Sequence, residues 1–125
     1  MRKGVIVCGA NGERGFVLEK VIEEFSKKNQ SRIVQFSMCS VAVSPLMLTM
    51  SGLDESKLVT INGCRNRCAD RTLEKNGMKA EHSCVLDDVL ERDVGPCKTT
   101  CDFSFPMPQE EEVKKFAAVC SKALD

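Results

Sequence analysis

The sequence predicts a small α/β domain built on a doubly wound, mainly parallel sheet, Rossmann-like in its three layers. Three observations carry that expectation. Short apolar runs alternate with amphipathic helical stretches, the order expected of successive βαβ units. The first and third runs each stop within two residues of a glycine. The chain has 125 residues with no internal repeat, low-complexity tract or linker, so residues 1–125 read as a single cysteine-rich domain.

The run from Gly4 to Ala10 (Gly-Val-Ile-Val-Cys-Gly-Ala) reads as a buried strand. Glu13 to Asn29 is helical, because Val17, Leu18, Val21, Ile22 and Phe25 fall on one face with charges between them. Ser31 to Met38 contains Ile33, Val34 and Phe36 and reads as a second strand ending near Cys39. Ser40 to Ser56 is apolar, rich in methionine and interrupted by Pro45, so it reads as a short helix or a segment covering the sheet. Leu58–Ile61 is a third strand, and Cys68–Asn76 a short helix for which Gly77 supplies a left-handed cap. Ala80–Leu90 holds a fourth strand and a helical turn. The final helix follows Pro106 and Pro108. Glu110, Glu111 and Glu112 suit its N-terminus, and Val113, Phe116, Ala117, Cys120 and Leu124 form one apolar stripe.

Composition narrows the function. Apolar residues make up 42% and charged residues 29%, enough for a core without disulfide staples. Lys plus Arg and Asp plus Glu both number 18, so the basic excess of a nucleic-acid-binding chain is missing. The apolar stretch after Met1-Arg2-Lys3 is too short for a signal peptide, and no run is long enough to span a membrane. The expectation is a cytoplasmic protein with no nucleic-acid or membrane partner.

Eight cysteines are then unusual. In a cytoplasmic chain with its own core, cysteines point to metal binding or thiol chemistry, or fill the core as small apolar residues. Cys120 lies inside the stripe of the last helix and reads as core. Cys8, Cys39 and Cys64 each stand at the carboxyl end of a predicted strand, where ligands bind in open α/β sheets. Cys68 follows Cys64 by four residues, the repeat of a helical turn, so both thiols can face one point. Four sulfurs are what a closed tetrahedral metal site requires. Arg65, Arg67 and Arg71 flank the pair and would offset the thiolate charge; as a solvated helix face they need no such role. Cys97 and Cys101 repeat the four-residue spacing beside Gly95 and Pro96. With Cys84, and with His82 nearby, they form a possible second site.

The segment Ile61-Asn-Gly-Cys-Arg-Asn-Arg-Cys-Ala-Asp-Arg-Thr-Leu-Glu-Lys-Asn-Gly77 resembles the DGC-domain family, named for an Asp-Gly-Cys motif and proposed to bind zinc. The likeness extends to Cys8-Gly-Ala with Gly15 downstream and to Met38-Cys39, roughly the first two thirds of the chain. By position, Cys8, Cys39, Cys64 and Cys68 match the family's four proposed zinc ligands. The resemblance therefore implies zinc as the metal, with Gly9, Asn62 and Gly63 shaping the loops. Asn62 stands where the family has Asp, keeping the side-chain shape and losing the charge. An iron–sulfur cluster would use the same four thiolates.

Two other patterns occupy the first loop. Cys8-Gly-Ala-Asn-Gly-Glu-Arg14 resembles the anion cradle of low-molecular-weight cysteine phosphatases and arsenate reductases, with Cys8 as nucleophile and Arg14 as anion clamp. Gly15 stands where a Ser or Thr activates the thiolate in such enzymes. Gly9-x-x-Gly12-x-x-Gly15 spells a dinucleotide-binding turn, yet the second strand is not followed by the acidic residue that would hold a ribose.

Overall fold

A computed structural model describes residues 3–8, 12–44, 50, 53, 57–90 and 108–125, with the backbone alone at 12 and 39. Strand β1 (Lys3–Val7) leads into helix α1 (Gly12–Asn29) and then strand β2 (Ile33–Ser37). Helix α2 (Met38–Val43) follows β2 without an intervening loop. Strand β3 (Leu58–Asn62) precedes helix α3 (Cys68–Lys75) and strand β4 (His82–Val85). A 3-10 turn at Leu86–Asp88 and a C-terminal helix α4 (Glu110–Lys122) complete the described elements. No helix among these residues is long and apolar enough to cross a membrane.

The four strands form one parallel sheet in the order β2-β1-β3-β4. This is the doubly wound α/β arrangement the alternation predicts. The chain moves to one side of β1 to make β2, then crosses back to make β3 and β4. Right-handed crossovers therefore put α1 on one face and α2 and α3 on the other. The packing agrees: α1 lies against α4, and α2 against α3.

Strand β3 is buried along its length, Leu58 to Asn62, and β1 at its centre, including Val5 and Ile6. On the first face Val17, Val21 and Phe25 of α1 meet Phe116 and Ala117 of α4 in one continuous core. Polar contacts fasten that pair of helices at its end. Asn29 Nδ2 donates to Ser121 Oγ at 3.0 Å, and Arg32 pairs with Asp125 at 2.7 Å. On the second face Leu53, from the segment read as a cover, is buried close to Gly4. A Cβ at Gly4 would lie 2.9 Å from Leu53 Cδ1, so the glycine makes room for that cover.

Several boundaries move. The first strand stops at Val7 rather than Ala10, and residues 9 and 10 lie outside the described set. The second strand ends at Ser37, because the Ser37 hydroxyl accepts the Ser40 N–H at 3.1 Å and caps α2. Cys39 therefore belongs to the first turn of a helix rather than to a strand end. Helix α3 closes as predicted: Gly77 has φ +73°, its N–H bonds to the Glu74 carbonyl, and Met78 N–H reaches back to Leu73. These two bonds are those of a Schellman cap.

Candidate metal centre

The strand order reverses between β1 and β3, and the carboxyl ends of these two strands define the sheet's switch point. Cys8 stands just past the end of β1, and its N–H donates to the Ile61 carbonyl at 2.9 Å. Cys64 follows β3 after Asn62 and Gly63. Ser37 of β2 is in register with Val7, which brings the backbone of Cys39 to the same edge two residues later. Cys68 is the first residue of α3. Cys8, Cys64 and Cys68 are free thiols, the first buried and the other two half-buried.

The Cys64–Cys68 connection is a turn rather than a helical turn. Arg67 N–H bonds to the Cys64 carbonyl at 3.1 Å, and Arg67 adopts φ 53° and ψ 53°. A side chain in this left-handed conformation costs about 1–2 kcal/mol. Here it turns the chain so that α3 can start at Cys68. Asn66 Nδ2 donates to Cys68 Sγ at 3.2 Å, a contact that orients the sulfur. Among the described residues no group of three His, Cys, Asp or Glu side chains converges as an ion-binding cluster.

Beneath this turn lies a polar network that fixes its base. Asn62 is fully buried, accepts Ala69 N–H on Oδ1 at 3.1 Å, and so satisfies one of the free N–H groups at the start of α3. Its amide donates to Asp70 Oδ2 at 3.0 Å and to the Cys84 carbonyl at 3.3 Å. Asp70 also receives Thr60 Oγ1 at 2.7 Å and Ser83 Oγ at 2.5 Å. The Asn of Asn-Gly-Cys thus holds the loop by donating and accepting at once.

Arg14 is held from within the chain. Its side chain is buried, donates to the Gly63 carbonyl at 2.6 Å and forms an ion pair with Asp87 of the 3-10 turn. The residue expected to clamp a substrate oxyanion instead ties α1 to the loop carrying Cys64. Gly9, the other predicted loop-shaping glycine, lies outside the described residues.

Of the suggested second site, only Cys84 and the neighbouring His82 fall among the described residues. Cys97 and Cys101 lie outside the described residues. Alternation along β4 sends Ser83 to Asp70 on the α3 face and Cys84 to the opposite face. There Cys84 meets Cys120 of α4, the core cysteine of the predicted stripe. The Cys120 thiol donates to Cys84 and holds it below the ordinary thiol range, while the same bond and burial push Cys120 up. His82 is exposed, pairs with Glu81 at 3.8 Å, and lies level with Val59, three residues back from the carboxyl end of β3.

Two contributors carried no local signal in the sequence. Asp87 is 73 positions from Arg14, and only the fold joins them. Asp70 sits among arginines in the motif and reads as one more surface charge until Asn62 and Thr60 are seen beneath it.

Comparison with known families bears on the same residues. The DGC domain profile matches residues 4–116. The chain belongs to the DGC-domain family. The match extends well beyond the two thirds over which the motifs were recognisable, reaching into α4 of this DGC domain. No curated protein and no solved structure gives a significant match.

Proposed function

We propose that this DGC domain binds one metal ion, zinc, through Cys8, Cys39, Cys64 and Cys68 at the carboxyl edge of its sheet, in a role of metal or sulfur handling. The observation carrying the reading is the position of Cys8 and Cys64 at the two strand ends of the switch point, with the backbone of Cys39 beside them and Cys68 across a hydrogen-bonded turn. The donor chemistry fits a soft or borderline cation, since all four groups are thiols and Asn66 already donates to one sulfur. When bound, zinc would supply a fixed positive centre around which the three loops order. The chain's own part is to hold those loops, through Asn62 beneath α3 and Arg14 against Gly63.

Elemental analysis of anaerobically purified protein tests this directly. About one zinc per chain, lost in Cys64→Ser and retained in Cys120→Ser, is the expected result. Iron with acid-labile sulfide would keep the ligands and change the chemistry to electron or sulfur transfer. A metal-free protein with a reactive Cys8 would overturn the reading in favour of a thiol enzyme. The partnering of Arg14 with Gly63 and Asp87 weighs against that alternative.

A further inference from the structure

A cleft of about 250 Å³ opens on the outer side of α3, next to the turn that carries Cys64 and Cys68. Arg65, Arg67, Arg71 and Lys79 line it, against two carboxylates, Asp70 and Glu74. The protein as a whole carries no net charge, so this concentration of cations is local. Arg65 is engaged by Asp88 at 3.3 Å. Among the described residues, the side chains of Arg67, Arg71 and Lys79 make no ion pair or hydrogen bond.

Asp70 does not relieve this imbalance in the way a surface acid would. Both of its oxygens are occupied from below, Oδ1 by Thr60 and Oδ2 by Asn62 and Ser83. It is turned into the sheet, and the arginines stay available to a ligand. The nine-residue lining includes only one apolar side chain, Ala80, so the cleft suits a small charged ligand better than an apolar one.

We propose that this cleft is a binding site for a small phosphate-class dianion, either inorganic phosphate or a phosphate monoester. Two features select that chemistry. The lining has four cations against two carboxylates, and with Arg65 held by Asp88 the three that remain without an ion pair among the described residues, Arg67, Arg71 and Lys79, favour an anion with several oxygens. Guanidinium groups match the oxygens of a phosphate in forked pairs, and the Lys79 ammonium adds a point charge. The cleft adjoins the proposed thiolate centre, since Asn66 lines it and also donates to Cys68 Sγ, but the proposal does not rest on metal being bound there.

Calorimetric titration of the full chain with inorganic phosphate and with phenyl phosphate tests the proposal, with sodium chloride at matched ionic strength as control. Saturable binding is expected, weakened about tenfold or more in Arg71→Gln and Lys79→Gln. Arg67→Gly is the variant that protects the test from a folding failure. It relieves a left-handed residue, so it should fold at least as well as the parent while losing affinity. Equal binding of both probes identifies inorganic phosphate as sufficient, and a marked preference for phenyl phosphate identifies an organic monoester. Heats that follow ionic strength alone, or an affinity unchanged in both Arg67→Gly and Arg71→Gln, would overturn the proposal.

Discussion

Asn62 and Asp70 meet beneath the start of α3, with Asn62 Nδ2 3.0 Å from Asp70 Oδ2 and Asn62 Oδ1 receiving Ala69 N–H. The pair explains why a neutral amide serves well at the first position of this chain's Asn-Gly-Cys. An aspartate there would still accept from Ala69, but it would turn a donor facing Asp70 into a second negative charge.

Asn62→Asp is accordingly expected to destabilise the fold by about 2–4 kcal/mol near neutral pH, since it pairs like charges in a buried setting. One carboxyl of the new pair would have its folded pKa raised above the unfolded value. The penalty is then full above that folded pKa and shrinks as pH falls through it. Urea midpoints measured near neutrality and near pH ~5 should converge with those of the parent on acidification. A deficit independent of pH would contradict the account.

Arg14 ties α1 to the Gly63 carbonyl and to Asp87, and its removal strands both partners. Arg14→Met should cost about 3 kcal/mol, and Asp87→Asn about 1, because Asp87 is the more exposed partner. The double variant should cost less than the sum, which a denaturation cycle measures. Additive losses would mean that the ion pair contributes nothing.

Gly77 has φ +73° with nothing within 4 Å of where a Cβ would stand. Gly77→Ala therefore tests backbone conformation without steric interference. A loss of about 1 kcal/mol is expected, and a smaller one for Gly77→Asn, which tolerates the left-handed region better. Thermal or urea unfolding of the two variants is sufficient.

Asn66 touches the proposed centre through the Cys68 sulfur. If that sulfur binds metal, Asn66→Ala should weaken metal affinity about tenfold, as losses of outer contacts do. Metal-free stability should change by less than about 0.5 kcal/mol, because the side chain is exposed. Competition with a chromophoric chelator gives the first quantity, and unfolding of the apo form gives the second.

Cys120 should behave as core. Cys120→Ala is expected to cost about 1–2 kcal/mol from the space it leaves, with metal content unchanged. In the native state Cys84 and Cys120 should resist alkylation while apo Cys64 and Cys68 react, and mass spectrometry of partly modified protein separates these classes.

Much of this protein was legible in the linear chain. The alternation of apolar runs and amphipathic stretches determined the parallel α/β order, because burial on both faces of a sheet and on one face of a helix leaves different periods in the sequence. The stripe of α4, the glycine cap of α3 and the coreward position of Cys120 were readable for the same local reason. Strand-end positions also singled out Cys8 and Cys64, since the carboxyl edge of a parallel sheet is implied once the strands are known.

Other features depended on contacts between residues far apart in sequence. That Arg14 spends its guanidinium on Gly63 and Asp87, that Asn62 needs an amide because Asp70 lies above it, and that Cys84 turns toward Cys120 were decided only by the tertiary structure. A residue's periodicity records whether it is buried. Its partner is set by strand order, register and the face on which each helix packs, and those exist only once the chain has folded.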